Sequence, residues 1–164
     1  MTHFVVEMAG PRTLVEDAGR RGWADLGISG CGAWDRRAYR EGARLVGNAA
    51  GLGCLEVLLG PVRLTCIGGP VLMAATGADV EIDLDGSPRP NGRGFLVADG
   101  QTLTVGAPVS GRSCCVECRE GRASPGRSQS AFTGRLTQTG ASLPPLPVTH
   151  RQTTSPRARV TGFR

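Results

Sequence analysis

At 164 residues, 40% of them hydrophobic, the chain is long enough for one domain with its own core, and an aromatic content of 4% leaves that core to Val, Leu, Ala and Ile. All 19 basic residues are arginine and the net charge is +5, but residues 1–118 hold 11 arginines against 13 acids, while residues 119–164 hold 8 against one. These patterns exclude a basic nucleic-acid face on the domain and a membrane-spanning apolar run, so the expectation is a cytoplasmic protein that binds neither a specific nucleic acid nor a membrane.

Residues 3–8 (HFVVEM) read as a first strand, ended by Ala9-Gly10-Pro11. Residues 11–37 combine glycine with charged clusters and both tryptophans, which reads as an ordered loop that turns tightly. Within it Gly27, Gly30 and Gly32 frame Ser29 and Cys31. Such a loop can aim several backbone N–H groups into one concavity before a helix, where an anion or developing oxyanion is stabilised. The same glycines fit a purely structural turn that packs Trp23 and Trp34 onto a core.

From Trp34 the apolar positions 34, 38, 45 and 46 predict an amphipathic helix of about three turns, closed at Gly47-Asn48. The period then shortens towards two. Residues 55–59, 62–67 and 71–75 read as strands, and 80–85 alternates strictly before an Asp85-Gly86 turn. Residues 95–97 and 102–105 read as a hairpin through Asp99-Gly100, and 113–117 as one more strand. Many short strands and one helix predict a mainly β domain, a barrel or a sandwich.

Of six cysteines, Cys115 and Cys118 form a CxxC with no second pair after it, so reduced structural thiols are expected and no metal site. Residues 119–164 are rich in Gly, Ser, Thr, Pro and Arg without apolar period, too little to offset chain ordering. A domain over 1–118 is therefore followed by a tail over 119–164 that is either disordered or the product of a shifted reading frame.

Five blocks occur in order: TLVEDAGRRG from Thr13, GISGCGAWDR from Gly27, RLVGN from Arg44, LEVLLGP from Leu55 and TGAD from Thr76. Together they resemble the opening of the biotin-dependent carboxyltransferase family, also known from the second subunit of allophanate hydrolase. That family includes the C-type subunit of the bacterial ATP-dependent 5-oxoprolinase and the carboxyltransferase region of urea carboxylase. The likeness ends near Cys118, and Glu16, Cys31 and Trp34 stand where the family usually has Gln, Ser and Met. The resemblance implies a cyclophilin-like β-barrel, here incomplete because family members are longer.

It also implies an activity: opening of the amide ring of 5-oxoproline by a subunit of a 5-oxoprolinase. Transfer from carboxybiotin in a urea or allophanate-type enzyme is the alternative, and a non-catalytic subunit that regulates through a paired homologue is another. ATP, through the complex, or carboxybiotin on a partner is implied as cofactor, although no cofactor motif stands in the chain. A homologous second subunit, a third 5-oxoprolinase subunit and a small amide substrate are the implied partners.

Both chemistries need backbone donors, a guanidinium and a carboxylate in one pocket. The candidates are Arg20 as fixed charge, Asp17 or Asp35 as carboxylate, and Gly30, Cys31, Gly32, Thr76 and Gly77 as substrate contacts. Each has a plainer role: Asp35 as helix N-cap, Asp17 as an ion-pair partner of Arg20 and Arg21, and Thr76-Gly77 as a turn. Glu56 is either buried and paired or facing solvent. Cys31 has no histidine near it in sequence to activate it as a nucleophile.

Overall fold

A computed structural model describes residues 2–19, 21–49 and 51–119, with the backbone of two short strands beyond them. The first half holds β1 (His3–Met8), β2 (Arg12–Glu16), a 3-10 turn (Ala24–Leu26), α1 (Arg36–Val46), β3 (Cys54–Leu58) and β4 (Val62–Ile67). There follow β5 (Val71–Leu84), β6 (Ser87–Arg89), β7 (Gly94–Val97), β8 (Thr102–Cys118), β9 (Gly134–Arg135) and β10 (Ala141–Leu143). Arg20 and the rest of the 119–164 segment, other than Arg119, β9 and β10, lie outside the described residues.

The strands form one antiparallel sheet in the order β10-β1-β4-β8-β3-β2-β9, with β5 also on β8 and β6 and β7 on β5. It curls into a half-barrel carrying one helix, which agrees with the expected mainly β, incomplete barrel. Strand β8 is its spine. The start of β8 pairs with β4, Val62 opposite Val105, and its end pairs with β3, Leu55 opposite Val116, while β5 runs along both.

Four sequence expectations are corrected. Residues 12–16 are strand rather than loop, because Thr13, Leu14 and Val15 pair with Val57, Glu56 and Leu55 of β3. Residues 71–84 form a single strand, so Thr76–Asp79 is an irregularity inside it and not a turn between two. Residues 102–118 are likewise continuous. The 95–97 and 102–105 segments are not a hairpin, since β7 pairs with β5 while β8 pairs with β4 and β5. Asp85-Gly86 does close the β5–β6 hairpin, with φ of 49° and 81° as a two-residue primed turn requires.

Alternation along β3, β5 and β8 gives the sheet two interiors. One face presents Leu55, Val57, Met73, Ala75, Cys114 and Val116 to the main core, with Leu64, Leu84, Leu103 and Val105. The other presents Cys54, Glu56, Thr76, Cys115 and Glu117, all buried, on the side of α1, where Ala38 and Tyr39 pack. Asp35 caps α1 and Gly47, at φ 76°, ends it as expected. Among the described residues no helix is long and apolar enough to cross a membrane.

Candidate functional site

The β5–β8 ladder is regular at both ends and slips in the middle. Gly77 stands opposite Cys114 but Asp79 opposite Ser110, so residues 111–113 span what Ala78 alone spans on β5. Surplus residues bend a strand and re-aim its side chains, and here they throw Arg112 outward. Glycine is required on both sides of the slip. Gly111 has φ +91°, and a Cβ on it would lie 2.9 Å from Cα of Ala78. Gly77 has φ +103°, and a Cβ there would lie 2.7 Å from the Ser113 carbonyl oxygen. Asn91 Nδ2 donates to the Ala78 carbonyl at 2.8 Å and holds the irregular segment from beside it.

The start of α1 forms the opposite bank. Asp35 Oδ1 accepts from the amides of Arg37 at 3.0 Å and Ala38 at 2.9 Å. Glu56, on β3 and 5% exposed, accepts through Oε1 from the amides of Trp34 at 3.0 Å and Asp35 at 3.2 Å. Two carboxyl groups thus satisfy four amides at the helix start and complement its dipole. Between the banks lies an open cleft of about 530 Å³ lined by Trp34, Asp35, Gly77, Ala78, Asp79, Ser110, Gly111, Arg112 and Ser113. Its charged lining residues are Arg112, Asp35 and Asp79.

Of the residues singled out in the sequence, Asp35 and Gly77 line this cleft. Thr76 lies buried beneath it and donates its hydroxyl to the Ala38 carbonyl at 2.8 Å. Asp17 belongs to the loop instead: its Oδ1 accepts from Gly19 N at 2.7 Å and its carbonyl from Ala33 N at 2.9 Å. Gly32 packs its backbone against Gly19, where a Cβ would lie 2.6 Å from Cα of Gly19. Cys31 is exposed with φ 45°, its amide donating to Ser29 Oγ at 3.4 Å, and neither it, Gly30 nor Gly32 lines the cleft.

Sequence reading missed Arg112, Ser110, Ser113 and the exposed Trp34 as lining residues, and reached Asp79 only as part of the matched TGAD block, without naming it among the site residues. One signal was present. Pro108 and Gly111 interrupt a strand pattern, and such residues inside a strand mark a bulge or a close approach.

Beneath the helix, Glu117 is 1% exposed and its Oε1 has no hydrogen-bond partner among the described residues. Burial pushes its carboxyl up from the usual 4.5 to about 8, against a smaller lowering by a hydrogen bond from the Ala43 backbone. The Cys54 thiol is pushed up by its hydrogen bond with Cys115 and by burial, and burial raises Cys114 to about 12. Buried thiols of this kind are inert packing groups.

Residues 26–150 match the family model described as carboxyltransferase domain, subdomain A and B. The chain belongs to that carboxyltransferase-domain family. It is 39% identical over 103 residues to the C-type subunit of 5-oxoprolinase from Escherichia coli (strain K12), a match spanning 63% of this chain and 33% of that protein. It is 33% identical over 102 residues to a putative urea carboxylase of Emericella nidulans, over 62% of this chain and 8% of that one. The crystal structure of K. lactis urea amidolyase superposes on 90% of this chain and 10% of that one with a TM-score of 0.75, at 23% identity, a likeness of fold. The chain thus spans about a third of the length of the 5-oxoprolinase protein it matches. The region matched by the family model takes in every lining residue of the cleft and continues past Cys118.

Proposed function

We propose that this chain is part of a subunit of an ATP-dependent 5-oxoprolinase, and that the cleft between the α1 start and the β5–β8 bulge holds the small amide substrate. The observation that carries the reading is the convergence of Arg112, Asp79 and Asp35 in one cleft of a chain similar to the C-type 5-oxoprolinase subunit. Ring opening of an amide puts charge on the carbonyl oxygen and moves a proton to the leaving nitrogen. Arg112, with the hydroxyls of Ser110 and Ser113, is the donor set for that oxygen. Asp79, exposed on the rim, is the carboxylate placed to handle the proton, since Asp35 Oδ1 is engaged in capping.

Two carboxylates against one guanidinium do not suit a triphosphate, so ATP is assigned to a partner: a homologous second subunit, with a third completing the complex. The test is co-expression with those subunits and measurement of 5-oxoproline-stimulated ATP hydrolysis. Arg112→Ala should abolish stimulation, and a wild-type response in that variant would refute the assignment.

A second reading, transfer from carboxybiotin in a urea carboxylase-type complex, is favoured by the likeness to the Emericella nidulans protein. The same donors fit a ureido oxygen, with Trp34 as an apolar flank; the bound cofactor would supply an activated carboxyl group. Biotin on a co-purifying partner supports this reading over the first.

A further inference from the structure

We propose that Glu56 is a positioning residue for the cleft, setting where Trp34 and Asp35 stand by holding their two adjacent amides on a single carboxyl oxygen. The proposal rests on the reading of the cleft as the substrate site. Glu56 does not line the cleft. It sits on a central strand, with Leu14 opposite on β2 and Cys115 opposite on β8, so its backbone is fixed from both sides. Glu56 is only 5% exposed, so an oxygen that lost these amides would meet little water in their place.

Ala33, just before Trp34, is buried with its amide on the Asp17 carbonyl, and the Asp35 carbonyl accepts from Tyr39 N, but the Trp34 side chain is 79% exposed, so packing does little to orient it. The bonds from Trp34 and Asp35 to Glu56 therefore tie the end of a glycine-bearing loop to the rigid sheet. Asp35 capping of Arg37 and Ala38 begins only after that anchor, so the two carboxyl groups act in series along the chain.

The test compares Glu56→Ala with Glu56→Gln, which keeps a carbonyl oxygen for the same amides. In the full-length chain carrying Trp23→Phe, Trp34 is the remaining tryptophan, and its fluorescence anisotropy and the site-resolved exchange of amides 34 and 35 report the anchor. In the co-expressed complex, kcat and KM for 5-oxoproline report the site. Glu56→Ala should speed exchange at both amides, lower the anisotropy and reduce kcat/KM on the order of ten- to a hundredfold, as small misplacements of a site do. Glu56→Gln should recover most of all three.

Unchanged exchange and anisotropy in Glu56→Ala would overturn the proposal. So would altered exchange with unchanged kinetics, or a glutamine variant no better than alanine. A wild-type complex without 5-oxoproline turnover would sink the substrate reading instead, and exchange and anisotropy alone would then decide whether Glu56 anchors this bank.

Discussion

Where strands β3, β5 and β8 run side by side, at 54–57, 73–76 and 113–117, they are buried on both faces, yet the two faces hold different interiors. Towards the main core they bury Val57, Ala75 and Val116 among aliphatic side chains; towards α1 they bury Glu56, Thr76 and Glu117. Burying an aliphatic side chain contributes about 1.5–3 kcal/mol, whereas a buried carboxyl costs stability unless its oxygens are met. The difference teaches which face maintains the fold and which arranges the site. The largest effect should come from breaking the aliphatic face. Leu103→Ala, at a fully buried position, should cost about 2–5 kcal/mol in denaturant unfolding, and a loss below about 1 kcal/mol would show that this face is not the main core.

The polar face should answer to pH instead. Glu117 binds its proton more tightly folded than unfolded, since its carboxyl is raised from 4.5 to about 8. Its contribution is therefore favourable below the unfolded value and is lost as pH rises through the folded one, with a slope of at most ~1.4 kcal/mol per pH unit between them. Glu117→Gln stays neutral at every pH. It should match wild type at about pH 4.5 or below and exceed it by a few kcal/mol at pH 9, with about 5 kcal/mol as the upper bound set by that slope over the interval from 4.5 to about 8. Parallel stability curves for the two proteins from about pH 5 to 9 would remove this account.

A smaller effect is expected where the polar face meets the cleft. Asp35→Ala removes the acceptor of two amides at the helix start and should cost about 1 kcal/mol, with Asp35→Asn costing less because asparagine also caps. Equal costs for alanine and asparagine in thermal melts would show that the charge on the helix end matters more than the cap.

This division of labour also explains what the sequence could and could not disclose. The helix was legible because its stripe, its Asp35 start and its Gly47 end are all local. Short strands at β1, β4 and the β5–β6 hairpin were legible for the same reason. The continuity of β5 and β8 was not, because the breaks at Gly77 and at Pro108 to Gly111 look like turns until the partner strand absorbs the extra residues. The loop glycines drew attention as an anion cradle, whereas Gly19 and Gly32 meet each other across the loop. Glu56 and Arg112 lie 56 residues apart in sequence, and only the pairing of β3 with β8 brings their strands side by side.

The smallest stability effect, and the sharpest contrast with Leu103, belongs to Arg112. It is exposed on the irregular part of β8 and is one of the residues that line the cleft. Arg112→Lys keeps the positive charge but loses the planar fork that presents two N–H groups at once to a carbonyl or carboxylate oxygen. Folding should change by no more than about 0.5 kcal/mol, as for other surface substitutions away from packing or caps. Activity in the co-expressed complex should nevertheless fall on the order of a hundredfold, the usual consequence of removing one well-placed donor to a developing oxyanion. Arg112→Ala should fall further in kcat with the same melting temperature. If stability and turnover instead decline together across the lysine and alanine variants, the guanidinium is holding the bulge in shape. Arg112 then belongs with Asn91 among the struts of the cleft and not among the groups that touch substrate.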